Sequence, residues 1–366
     1  MKMTLRSGVG AAAAGGLILA LSGCAVNEAG ALGPSVGLPG ELIGVGASSQ
    51  GAAQEAWIAA FQASNPRATV NYEPAGSGAG REAFQQGAAA FAGSDQPFTT
   101  AEIAQGPFET CAPGSALVQL PAYISPIALI FNLEGISSLN LDAPTVAAIF
   151  AGQITRWDDP QITSQNPGTG LPPLQITAVH RSDKSGTTGN FTEYLAAAAP
   201  AVWTVGATED WVPELGGEGA QGTSGMVEAV RSGVGTIGYA DASRAEGMGV
   251  VKLLVGSQYV AYSPQAAAAT VDASTPGAGR QPTDLAIELD RGSHVDGIYP
   301  LVLVSYLVGC ERYRDADMAE LTKEYLSWVV SEAGQRAAAE SAGAAPISAD
   351  LRAKAESIVQ QIGSDQ

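Results

Sequence analysis

His180-Arg181-Ser182-Asp183-Lys184-Ser185-Gly186-Thr187-Thr188 is the stretch from which the rest of the chain is read. The apolar run at 174–179 before it reads as a strand, and residues 189–195 after it read as the first turns of a helix. One fixed cation, several hydroxyls and a glycine therefore fall at a helix N-terminus. Free backbone N–H groups and the positive end of the helix dipole meet there, which makes an anion site. The 366 residues carry a formal net charge of −18, so such a site must work through local hydrogen bonds rather than long-range attraction.

Three further turns share this grammar of strand end, small polar residues and helix start. They are Gly46-Ala47-Ser48-Ser49-Gln50-Gly51, Gly76-Ser77-Gly78 and Gly93-Ser94-Asp95. Strands are expected at 42–47, 69–74 and 90–94, with helices at 52–64 and from 76 to 86. This βαβαβ order predicts a parallel sheet flanked by helices, in which ligands bind beyond the carboxyl ends of the strands. Any one of these turns alone is an ordinary helix cap; their recurrence argues for a shared site.

Downstream, strands are expected at 124–132, 174–179, 234–240 and 299–308, and helices at 145–150, 192–199, 224–231 and 317–330. Residues 154–159 read as a loop, 260–295 as weakly patterned, and the Ala-rich tail from Glu332 as helical. No internal repeat is visible. Hydrophobic residues make up 46 % and charged residues 15 %, enough for a substantial core in a chain of two-domain length. The acidity argues against nucleic acid and polybasic membrane contact, and no internal apolar run is long enough to span a bilayer.

The N-terminus reads as a targeting device. Lys2 and Arg6 precede a small-residue and apolar stretch at 8–21, and Leu21-Ser22-Gly23-Cys24 matches a bacterial lipobox. Residues 1–23 are expected to be a signal peptide, Cys24 to carry lipid, and 24–40 to be a tether; an ordinary cleaved signal is the alternative. Cys111 and Cys310 then remain as an even pair in an exported chain, which predicts a disulfide rather than two buried thiols. It closes a loop of roughly 200 residues, for up to about 5 kcal/mol in the chain-entropy model.

With these motifs in hand, the chain resembles the phosphate-binding lipoproteins that serve bacterial ABC phosphate importers (PstS-like proteins). The family's ordered blocks are matched by Gly46-Ala47-Ser48-Ser49, Tyr72 to Gly78, Ser94-Asp95-Gln96-Pro97 and Arg181 to Thr187. The Ile154 to Asp158 and Gly235-Thr236-Ile237-Gly238-Tyr239 stretches are similar as well. Ser49 stands where the family has an aromatic residue, and the segment around Cys111, residues 108–113, does not align with the pattern.

The resemblance implies a two-lobe periplasmic-binding-protein fold of type II. Lobe I would comprise 41–123 plus 297–366 and lobe II 124–296, each lobe a mainly parallel sheet with helices. It implies inorganic phosphate held by Arg181, by Ser48, Ser77, Ser185 and Thr187, and by the Ser49 and Gly186 backbone. Asp183 would support Arg181, and Asp95 would accept the phosphate proton and so reject sulfate. Expected partners are phosphate, the permease of an ABC importer and the membrane through the lipid; a monomer is expected, with no cofactor, metal or nucleic acid.

Rival readings are a receptor for another tetrahedral oxyanion, a phosphate-ester hydrolase, and a surface lipoprotein without a transport role. Hydrolysis would need a metal or a nucleophile–base pair. Only His180 and His294 are available, and neither a P-loop nor a Gly-x-Ser-x-Gly elbow occurs. Trp57, Trp157, Trp203, Trp211 and Trp328 are expected in cores, and Asp158-Asp159 in a solvated loop.

Overall fold

The computed structural model describes residues 38–365; the lipobox and Cys24 lie outside them. The first half of the sheet is built from β1 (Gly40–Gly46), β2 (Ala68–Glu73) and β3 (Phe91–Ser94), with α1 (Gly51–Ser64) and α2 (Ser77–Gln85) between them. β1 runs parallel to both neighbours, pairing Leu42 with Val70 and Val45 with Ala92. A short helix α3 (Thr100–Gln105) follows, closed by a capping box from Thr99 to Glu102.

The chain then crosses the molecule on β4 (Leu117–Phe131), fifteen residues long and buried throughout. The second half carries β5 (Ser138–Leu141), α4 (Ala143–Phe150), α5 (Pro160–Thr163), β6 (Thr177–Arg181), α6 (Gly186–Ala198), β7 (Glu218–Ala220), α7 (Gly222–Ser232) and β8 (Thr236–Asp241). β6 lies parallel to β7 and β8. Strands β9 (Gly249–Val255) and β10 (Gln258–Val260) and helix α8 (Pro264–Asp272) lead into a two-residue ladder of β11 (Thr275–Pro276) and β12 (Ile287–Glu288).

β13 (Val302–Cys310) returns to the first half, antiparallel to β3 and β4. After β14 (Arg312–Tyr313) come α9 (Ala316–Val330), α10 (Glu332–Ala342), α11 (Ala349–Val359) and β15 (Gly363–Ser364). The path β2-β1-β3-β13-β4-β8-β6-β7 is thus two parallel arrays joined by two long antiparallel strands. β3 and β8, next to the crossing strands, are buried at every position, as strands covered on both faces are, whereas β1 and β2 alternate buried and exposed residues.

Several expected boundaries shift. The strand before Arg181 begins at Thr177 and includes Arg181 itself. The expected strand at 124–132 is the second part of β4, so the residue 123/124 boundary cuts a continuous strand. Pro121 hides its first part, because proline argues against a central strand. Here the register slips: Tyr306 faces Pro121 while Ser305 faces Tyr123, and the bulge lets the proline in. Residues 260–295 hold α8, which starts on a Ser263 cap with Pro264 at its first turn.

Cys111 and Cys310 form a disulfide with Cα atoms 5.4 Å apart. It ties the end of β13 to the segment that precedes β4. Trp57, Trp157 and Trp203 are buried, whereas Trp211 and Trp328 are half-buried against the core.

Candidate functional site

β1, β3 and β6 all end at one place, and the four glycine- and hydroxyl-rich turns come together there. Gly76 has φ +110°, a left-handed-side conformation that favours glycine, and a Cβ on it would stand 2.5 Å from Asp183 Oδ2. A Cβ on Gly186 would stand 2.6 Å from Ser77 Oγ. Side chains at these positions would push the turns of the two sheet halves apart.

Asp95 lies at the centre. Oδ1 accepts from Ser49 Oγ at 2.6 Å and from Ser305 Oγ at 2.5 Å, and Oδ2 accepts from Thr187 Oγ1 at 2.8 Å. Its backbone N–H donates to Ser77 Oγ at 3.1 Å, and its carbonyl accepts from Asn190 Nδ2 at 2.8 Å. A carboxylate offers about four acceptor positions; three are taken by hydroxyls, and one remains.

On the facing side, Arg181 is buried and donates from Nε to Asp183 Oδ1 at 2.7 Å, with a second contact from Nη2 to Oδ2. Of five guanidinium N–H groups, three are left after this pairing. Burial on its own raises the Asp183 carboxyl. The hydrogen bonds and charge of Arg181 and the Gly222 N–H at 3.0 Å outweigh it, so the carboxyl sits below its ordinary value. The Arg181 N–H donates to Tyr239 Oη at 3.2 Å, and the same phenol meets Thr188 Oγ1 at 2.7 Å. Tyr239, stacked on Phe191 at 4.3 Å, thus seats the turn on the aromatic core.

Ser185 caps α6, its hydroxyl accepting from the Thr188 N–H. Gly186 and Thr187 are the first two residues of that helix, so their N–H groups have no acceptor within it. Ser77 opens α2 in the same way. Ser48 turns to α7: its hydroxyl shares a 3.0 Å hydrogen bond with Thr223 Oγ1 and accepts from the Thr223 N–H at 3.0 Å. The structure therefore gathers Ser48, Ser49, Ser77, Asp95, Arg181, Asp183, Ser185, Gly186 and Thr187. His180 stands just outside, stacked on Trp211 with ring centroids 4.7 Å apart. Asp158 is exposed and paired with Arg156, and Asp159 caps α5.

Sequence reasoning missed Ser305 and Thr223. Ser305 ends a buried polar chain: Tyr325 Oη donates to Gln54, Gln54 to Gln50, and Gln50 Nε2 to Ser305 Oγ at 2.6 Å. With its acceptor side occupied by Gln50, the Ser305 hydroxyl directs its proton at Asp95. A serine and three amide or phenol groups inside otherwise apolar elements were the available signal.

Two parallel α/β arrays joined by crossing strands, with hydroxyl and N–H donors where they meet, define a periplasmic-binding-protein-type receptor. A family model described as a PBP superfamily domain matches residues 33–333. Phosphate-binding protein PstS 2 of Mycobacterium tuberculosis is 35 % identical over 367 residues, covering 96 % of each chain. PstS 3 of Mycobacterium leprae is 35 % identical, covering 84 % of this chain and 86 % of its own. The chain belongs to the PstS phosphate-binding protein family. Among solved structures, a phosphate-binding protein from Stenotrophomonas maltophilia superimposes with a TM-score of 0.67 at 21 % identity, covering 87 % of this chain and 93 % of its own; the likeness is one of fold.

Proposed function

We propose that this chain captures inorganic phosphate outside the cytoplasmic membrane and hands it to the permease of an ABC importer. It acts as a receptor and not as an enzyme. The observation that carries this reading is Asp95, a buried carboxylate set among donors at an anion site. Arg181 and Asp183 cancel formally, which leaves Asp95 as a net negative charge facing the ligand. An anion can approach it only with a proton between them. Phosphate carries that proton at neutral pH and sulfate does not.

In this reading the free Arg181 donors take two phosphate oxygens as a fork. The Gly186, Thr187 and Ser49 N–H groups and the Ser48, Ser77 and Ser185 hydroxyls take the rest, while the Thr187 hydroxyl donates to Asp95. Lobe I (41–123 and 297–366) and lobe II (124–296) close on the ligand, because neither alone supplies all the donors. The chain works as a monomer, lipid-anchored through Cys24 after removal of residues 1–23, on a tether of residues 24–40. Cys24→Ala should then release it from the membrane fraction; unchanged fractionation would remove the anchor.

Calorimetric titration of phosphate-stripped protein with phosphate, arsenate, sulfate and molybdate tests the ligand. Phosphate and arsenate, which both carry protons at neutral pH, should bind, and sulfate should not. Binding of sulfate or molybdate with no response to phosphate would assign the cleft to another oxyanion.

A further inference from the structure

Beside the anion site, the two lobes meet through one buried ion pair that the phosphate contacts do not require. Arg81, on α2 of lobe I, reaches Glu209, in the loop after α6 of lobe II. Nη1 donates to Oε1 at 3.0 Å, and Nη2 pairs with Oε2. The side chains are 5 % and 18 % exposed, so the pair is shielded from solvent and salt. Lys184 Nζ lies 3.9 Å from the same Oε2.

Each member is fixed by its own lobe next to an anion-binding turn. Arg81 Nη1 also donates to Ser94 Oγ at 2.9 Å and to the Gln96 carbonyl at 3.0 Å, the residues on either side of Asp95. Its guanidinium lies over the Phe98 ring, 5.8 Å from the centroid. Glu209 accepts the Ser185 N–H at 3.0 Å through its own carbonyl, and Ser185 is the cap of α6. The pair therefore links the Asp95 turn to the Arg181–Thr187 turn at one remove from the ligand.

We propose that Arg81 and Glu209 are positioning residues that form a charge latch, holding the lobes shut around phosphate. The inference rests on the phosphate-receptor reading above. A buried ion pair stabilises little when both ions lose their water to form it. Here the cation is already held by Ser94, Gln96 and Phe98 within lobe I, so lobe closure desolvates mainly Glu209. The nearby cross-lobe contacts, Gly78 N–H to the Lys184 carbonyl at 3.1 Å and Gln96 Nε2 to Glu193 Oε1 at 2.9 Å, add no second fully paired charge. The latch acts after encounter, so it sets how long phosphate stays rather than how fast it arrives.

Stopped-flow phosphate binding and release on wild type, Arg81→Met, Glu209→Gln and the double variant tests this. Each single variant should release phosphate about tenfold faster, with the association rate changed less than twofold, and the double variant should be no worse than the worse single one. Glu209→Gln keeps the side-chain shape on a surface loop, and its melting temperature without phosphate should stay at the wild-type value. Wild-type release rates in both single variants would overturn the latch alone. Effects that multiply in the double variant would overturn the coupling. A wild type that binds no phosphate would overturn the receptor reading, and the latch with it.

Discussion

The two sides of the cleft solve one problem with different chemistry. Lobe I presents hydroxyls gathered on a carboxylate: Ser49 and Ser305 both donate to Asp95, and Ser77 accepts its N–H. Lobe II presents a guanidinium paired with a carboxylate and a helix N-terminus, from Arg181 and Asp183 to Gly186 and Thr187. Neither side concentrates positive charge, on a chain whose net charge is −18. In the proposed reading, fixed N–H and O–H dipoles from both sides supply affinity, while the Asp95 acceptor supplies discrimination. Thr187 joins the two by donating across the cleft to Asp95 at 2.8 Å.

The lobe II side should break most completely. Arg181→Ala removes the forked donor and leaves Asp183, 14 % exposed, unpaired next to the anion. Loss of a charge-assisted bidentate contact costs on the order of 3 kcal/mol, or about a hundredfold in phosphate affinity. Arg181→Lys should recover only part, because a point charge cannot both pair with Asp183 and fork to phosphate. Full affinity in the Lys variant, measured by titration, would mean that Arg181 acts only as the partner of Asp183.

The lobe I side should show its role in selectivity instead. Asp95→Asn replaces an acceptor-only group by an amide that can also donate. Sulfate then meets a donor where it met a charge, while phosphate oxygens can still accept. Sulfate binding should become measurable and the phosphate-to-sulfate ratio should narrow. An unchanged ratio, titrated at equal salt, would place discrimination elsewhere.

The same contrast governs what was legible in the sequence. The turns around Ser48, Ser77, Asp95 and Arg181 were readable because their chemistry is local: strand end, small residue, cap. Ser305 was not. It lies in an apolar run that reads only as a core strand, and the bulge opposite it, where Tyr123 and Pro121 face Ser305 and Tyr306, arises from pairing between distant strands. Thr223 and Glu209 act on residues 175 and 128 positions away, which no periodicity records. The first part of β4 was concealed by Pro121, and α8 by a composition so rich in alanine that no apolar stripe stands out.

The smallest effect concerns a second buried carboxylate, where β8 ends against the crossing strand. Asp241 faces Ile127 of β4 and accepts from Tyr123 Oη and the Ser243 N–H, each at 3.0 Å. Unlike Asp95, it has an oxygen, Oδ2, with no hydrogen-bond partner among the described residues. Burial raises its carboxyl to about 6, and the Ser243 and Ser125 groups beside it offset only part of that. From about pH 4 to pH 6 the folded chain therefore keeps a proton that the unfolded chain has released. Stability from this group is present below that window and declines as pH rises through it. Asp241→Asn keeps both acceptor contacts and cannot ionise. Its melting temperature relative to wild type should climb by a few degrees between pH 4 and pH 7. A difference that stays flat with pH would show that Asp241 is ionised as easily in the folded chain as in the unfolded one, and that only the cleft, not the crossing strands, perturbs a buried acid.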